Sequence, residues 1–132
     1  MAARPALRRI VAASGIAVAV AAGLLVHTQL PDTAVTDIAG DALYAVVAYL
    51  AVVVLAPRWS PMTAGGLAAV WCVGVELFQL TGLPARWGDA FSPVVLVLGT
   101  VFDPRDLVVY VVTIAALMVV DVLVSRRRRV AR

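Results

Sequence analysis

Four long apolar runs, separated by short polar stretches, restrict what this chain can fold into. The runs are Ile10–Val26, Ala42–Ala56, Met62–Leu80 and Leu107–Val124. At about 1.5 Å per helical residue, each approaches the ~30 Å hydrocarbon core of a bilayer once flanking turns are added. Lipid offers no hydrogen bonds to an open backbone, so each run must satisfy its own peptide groups, as a helix does. Hydrophobic residues make up 63% of the 132-residue chain and the mean hydropathy is +0.99, too much apolar surface for a soluble domain of this size to bury. The reading is an all-α membrane protein forming one integral domain over residues 1–132. Four transmembrane helices are expected at about 10–28, 37–56, 62–80 and 106–124.

The connecting stretches refine this plan. The second run is short for a crossing, so its helix is expected to start near Thr36, with Asp37 and Asp41 in its first turns. Acids are favourable there because a helix N-terminus carries partial positive charge. Gly65, Gly66 and Gly74 are small residues of the kind that let helices approach closely. Thr81–Phe91 reads as a loop, with Gly82, Pro84 and Gly88 as breakers. Pro93–Phe102 is apolar but too short to cross, which fits a re-entrant or interfacial segment before the last helix. Asp103-Pro104-Arg105-Asp106 is a helix-start signal, and Ser60 and Thr63 beside Pro61 read as helix caps.

Charge sets the expected orientation. All eleven basic residues are Arg, which with the wealth of Ala and Val suggests a GC-rich bacterial genome. With the N-terminus inside and four crossings, Arg4, Arg8, Arg9, Arg58, Arg126–Arg129 and Arg132 fall on the inner side. Only Arg86 and Arg105 fall outside, as the positive-inside rule requires. This predicts a multi-pass protein of the bacterial plasma membrane with both termini cytoplasmic. A cleaved signal peptide shares the plan of the first run, with Ala19-Val20-Ala21 as a cleavage pattern. The length of the run and the spans that follow favour a retained helix. The Arg residues flank apolar runs instead of lining a polar surface, which excludes a nucleic-acid partner and leaves membrane lipids. The single Cys72 forms no internal disulfide.

Seven of the eight acids fall toward the outer side in this topology: Asp32, Asp37, Asp41, Glu76, Asp89, Asp103 and Asp106. Glu76 stands out, because a carboxylate within a span costs a few kcal/mol on insertion scales unless partnered. Gln79, three residues on, shares its helix face, and Arg86 or Arg105 is the expected countercharge. Either Glu76 is functional, as a proton carrier, a ligand-binding group or the candidate catalytic acid–base, or a buried Glu76–Arg86 pair locks the loop to the bundle. Asp41 with Tyr44, and Asp106 with Tyr110, each share a helix face. Each pair reads as an acid beside a phenol in a pocket, or as a helix-start acid beside an interfacial Tyr. Asp103 and Asp106 beside Arg105 are oxygen donors of the kind that suit Mg²⁺ or Ca²⁺, without the His or Cys a zinc site needs. No metal and no cofactor is assigned. His27, at the outer end of the first helix, reads as interfacial.

Several motifs occur in order: Gly40-Asp41-Ala42-Leu43-Tyr44-Ala45, Glu76-Leu77-Phe78-Gln79-Leu80, Phe102-Asp103-Pro104-Arg105-Asp106-Leu107 with Tyr110, and Asp121. In these the chain resembles the small bacterial membrane family catalogued as domain of unknown function 2809, over about Asp37 to Val124. More distantly it resembles the VanZ-like family, in which a Glu-x-x-Gln helix precedes an Arg-containing loop and an Asp that begins the last helix. Glu76, Gln79, Arg86 and Asp106 would hold those places. The chain departs from that pattern near Asp41, where Tyr44 stands and a His is expected. The resemblance implies a cell-envelope role and no particular reaction. The outer residues Asp41, Tyr44, Glu76, Gln79, Arg86, Asp103, Arg105, Asp106 and Tyr110 form the expected pocket, for a lipid head group or glycan-like ligand. An enzyme acting on a lipid-linked envelope substrate, with an Arg on its phosphate, and a small proton-coupled transporter are the alternatives.

Overall fold

The structure is a computed structural model and describes residues 3–131. Arg132 and the side chain of Arg4, both part of the arginine bias, lie outside what is described. The described residues form six helices and no strand: α1 (Ala3–Gln29), α2 (Ala34–Leu55), α3 (Pro61–Gln79), α4 (Leu83–Ala90), α5 (Val94–Leu98) and α6 (Pro104–Val130). Four of them, α1, α2, α3 and α6, are long and apolar enough to cross a membrane.

Side-chain caps begin three of the long helices. Thr33 accepts a hydrogen bond from the Thr36 amide at 3.2 Å while Thr36 Oγ1 accepts from the Thr33 amide at 2.8 Å, a reciprocal box that starts α2. Ser60 Oγ accepts from the Thr63 amide at 3.1 Å and Pro61 fills the first turn of α3. Asp103 Oδ1 accepts from the Arg105 amide at 2.9 Å ahead of Pro104, which starts α6. With its cap at Thr33, α2 begins ahead of Thr36, where the apolar pattern alone puts it. Likewise α1 runs from Ala3, beyond the expected start near residue 10. The 27 residues of α6 make a rod about 40 Å long, enough to carry Arg126–Arg129 past the hydrocarbon on the helix itself.

Contacts at the two ends show that the four long helices run alternately up and down. Arg8 of α1 reaches the carbonyls of Pro57 and Trp59 after α2, and Asp121 late in α6. At the opposite end Tyr44, early in α2, and Glu76, late in α3, meet residues just before α6. α2, α3 and α6 pack on one another, while α1 packs along α2. Small residues bring the central three close: Ala45, Ala64 and Cys72 are fully buried and Ala68 nearly so. A Cβ on Gly65 would fall 2.2 Å from Met118 Sδ, so the Met118 side chain of α6 packs directly on the bare α3 backbone there. Large apolar side chains such as Val18, Val70 and Val112 point outward, as a lipid-facing surface requires.

The stretch expected as a loop, Thr81–Phe91, instead contains α4. Its breakers act as punctuation. Gly82, at φ +72°, ends α3 and stands as the N-cap of α4. Pro84 occupies the first turn, where a missing N–H costs nothing. Gly88 sits inside the helix where Val95 presses against it, with room for no side chain. The apolar stretch Pro93–Phe102 is helical over five residues only, after which Gly99, at φ +63°, turns the chain toward α6. α4 and α5 pack on each other and on α3, with Phe78 and Trp87 rings 5.5 Å apart.

Candidate functional site

Every fourth residue of the three central helices faces the bundle interior, as helical periodicity dictates. The inward stripe is Asp41, Ala45, Tyr49 and Val53 on α2, Ala64, Ala68, Cys72 and Glu76 on α3, and Asp106, Tyr110 and Ile114 on α6. Its apolar members are no more than 5% exposed. Since α2 and α6 begin where α3 ends, all three stripes finish in a carboxyl group at one end of the bundle. There the Asp41 and Asp106 carboxyl groups meet at hydrogen-bonding range, and Glu76 is fully buried.

The stretch from the end of α5 to the start of α6 is tied across this end by three side chains that reach its backbone. Tyr44 donates its hydroxyl to the Val97 carbonyl at 2.6 Å, and Gln79 Nε2 donates to the Leu98 carbonyl at 2.8 Å. Glu76 Oε1 accepts from the Asp103 amide at 2.8 Å. Trp71 Nε1 donates to the Tyr44 hydroxyl at 3.0 Å, and the Tyr44 and Tyr110 rings lie 5.8 Å apart. A Cβ on Gly99 would fall 2.5 Å from Gln79 Nε2, so only glycine lets Gln79 reach Leu98. The Leu98 bond also fixes the Gln79 amide, since a carbonyl can only accept. Two buried acceptors remain unpartnered: Gln79 Oε1 and Glu76 Oε2.

A cleft of about 940 Å³ opens at this end, within the size range of ligand sites. Apolar residues of α1 and α2 wall one part of it. The polar part takes in Asp37, Asp41, Gln79, Asp103, Arg105 and Asp106, with Tyr44, Trp71 and Tyr110 as its aromatic lining. Asp32 and His27 also line it. Arg105 stands 3.4 Å from Asp103 and 3.7 Å from Asp37, and all three side chains are substantially exposed. A second, apolar groove of about 360 Å³ runs along α3 and shares Trp71, Val75 and Leu98 with the cleft.

Of the residues singled out in the sequence, the structure gathers Asp41, Tyr44, Gln79, Asp103, Arg105, Asp106 and Tyr110 around this one cleft. Glu76 lies among the same helices without lining it. The expected countercharge is not there: neither Arg86 nor Arg105 pairs with Glu76, whose carboxylate meets a backbone amide instead. Arg86 is carried outward on α4, because the stretch that a loop would have draped over the bundle is a helix. Asp103 is committed to the start of α6, and no group of three or more His, Cys, Asp or Glu side chains among the described residues is arranged to hold a metal.

Sequence reasoning missed Trp71 as a partner of Tyr44, and it missed a polar cluster at the opposite end. There Asp121 accepts from Arg8 at 2.5 Å and from the Tyr49 hydroxyl at 2.7 Å. Arg9 donates to the Val54 carbonyl at 2.9 Å in the last turn of α2. The signal was present as Arg8 and Asp121, the lone acid of that half, but anchoring arginines conceal a specific pair.

No curated protein and no solved structure matches this chain. The model of a family described as "Protein of unknown function (DUF2809)" matches residues 30–114, more than half of the chain and the whole of the acid-lined cleft apart from its α1 wall. The chain belongs to that family of uncharacterised proteins, and within it is a multi-pass membrane protein of four apolar helices.

Proposed function

We propose that this is a cell-envelope protein of a bacterial plasma membrane whose acid-lined cleft binds the head of a lipid or a glycan-like ligand. The observation that carries this reading is the pairing of an amphiphilic cleft with a buried, unpartnered acceptor on its wall, Gln79 Oε1. Buried polar atoms are almost always satisfied, so an unsatisfied one in a residue that lines a cleft points to an occupant. The apolar groove that shares Trp71 with the cleft suits a hydrocarbon chain, which favours an amphiphile over a small solute. The arginine distribution supports an orientation with the cleft on the outer side and both termini in the cytoplasm.

The other readings find less support. Glu76 is fully buried, holds the Asp103 amide and does not line the cleft, a poor placement for an acid–base catalyst. The cleft carries several carboxylates to one Arg, an unfavourable place for a substrate phosphate. Between Glu76 and Asp121 the interior is filled by Cys72, Ala68, Tyr49 and Ile114, which supports binding over conduction.

Lipids that survive purification in mild detergent test this reading. Wild-type protein is expected to retain a polar-headed lipid, and an Asp41→Asn/Asp106→Asn variant that inserts and folds normally is expected to retain about tenfold less. Identical lipid profiles for the two proteins, read by mass spectrometry, overturn it.

A further inference from the structure

We propose that the group recognised in this cleft is a primary ammonium, the amino head of a lipid or a free amine, held through its N–H donors. This rests on the cleft being a ligand site and names the chemistry it selects. The site has acceptors to spare and few donors. Gln79 is 8% exposed, lines the cleft, and has its amide fixed by Leu98 with Oε1 left open. Asp41 and Asp106 face each other with no Arg between them. Like charges at that range need a proton or a cation between them. Three of the donors nearby are already engaged: Tyr44 on Val97, Trp71 on Tyr44, and Arg105 between Asp37 and Asp103.

Each alternative head group fails one part of this match. A phosphate or carboxylate brings more acceptors and more negative charge. A sugar brings donors without charge, and a quaternary ammonium brings charge without N–H donors. A bare metal ion lacks a ligand set among the described residues. A primary ammonium supplies three donors and a positive charge. It also suits the aromatic faces of Tyr44, Trp71 and Tyr110 that line the same cleft.

The full chain is reconstituted in phosphatidylcholine nanodiscs carrying a minor fraction of phosphatidylethanolamine, phosphatidylglycerol or a glucosyl diacylglycerol. Native mass spectrometry then reads which lipid stays bound after transfer to detergent. A separate arm adds spermidine to discs of phosphatidylcholine alone and reads thermal unfolding. Phosphatidylethanolamine is expected to be retained about tenfold or more over phosphatidylglycerol, and Gln79→Leu and Asp41→Asn are each expected to abolish the preference. Thermal protection by spermidine without selective lipid retention keeps the ammonium chemistry and assigns it to a free amine. Preferential retention of the glucosyl lipid or of phosphatidylglycerol overturns the ammonium while leaving a head-group site. No selective retention and no protection in any arm overturns both readings.

Discussion

The two ends of this bundle are built from the same materials and finished differently. At the arginine-rich end Asp121, Arg8 and Arg9 are each partnered. Asp121 meets Arg8, Tyr49 and Ser125, and Arg8 and Arg9 also take up carbonyls that α2 and its following turn leave open. That end works as a staple, and it is what joins α1 to α6, two helices that otherwise do not pack together. At the acid-rich end three inward stripes finish in carboxyl groups, two buried acceptors have no partner, and a cleft lies beside them. Unmet polar groups lower stability, so their concentration at one end points to use at that end. The family match follows the same division: it contains the carboxyl groups of the cleft and stops short of Asp121.

The same chemical change at each end breaks or sharpens this contrast most strongly. Asp121→Asn removes the charge facing Arg8, both side chains being about four-fifths buried, and weakens the acceptor for Tyr49. It is expected to cost about 2–3 kcal/mol in reversible unfolding from mixed micelles. Asp106→Asn is expected to leave stability unchanged or raise it by up to about 1 kcal/mol, because it relieves a carboxyl–carboxyl contact. Equal losses at both ends would make the acid-rich end a second staple and remove the distinction. A smaller effect is expected from Gly99→Ala. It strains a φ of +63° and drives a methyl group into Gln79, at about 1–2 kcal/mol. Faster amide exchange confined to residues 97–103 would show the strap released while the bundle stays closed, and unchanged exchange would show that Gln79 does not hold it. The smallest effect belongs to Arg105→Ala. Its ion pairs with Asp37 and Asp103 are exposed, and their loss is expected to cost under about 1 kcal/mol. A larger loss would mean the rim of the cleft is a structural element.

How much of this was legible in the chain differs between helices and turns. The spans could be read because lipid imposes one rule on every residue within it, and apolar composition answers that rule locally. The start of α2 could not be read from hydropathy, since Thr33 and Thr36 act through hydrogen bonds that composition does not weigh. Nor could α4, whose Gly82, Pro84 and Gly88 carry the same signal in a loop as at the start and packed face of a short helix. Within the site, Asp41, Gln79 and Asp106 announced themselves as polar residues near the ends of apolar runs. The partner of Glu76 did not, because a backbone amide has no identity in the sequence and a nearby Arg is the obvious substitute.

Sequence alone determined that the chain crosses a membrane as four helices and that its acids collect at one end, since both depend on the order of apolar and charged residues. Tertiary structure alone decided that three of those acids terminate inward stripes and that Gln79 is left half-satisfied over a cleft. It also decided that Arg8 reaches Asp121. These depend on which helix faces turn toward one another, and packing of small residues such as Ala45, Ala68 and Gly65 sets that rotation, which no single helix encodes.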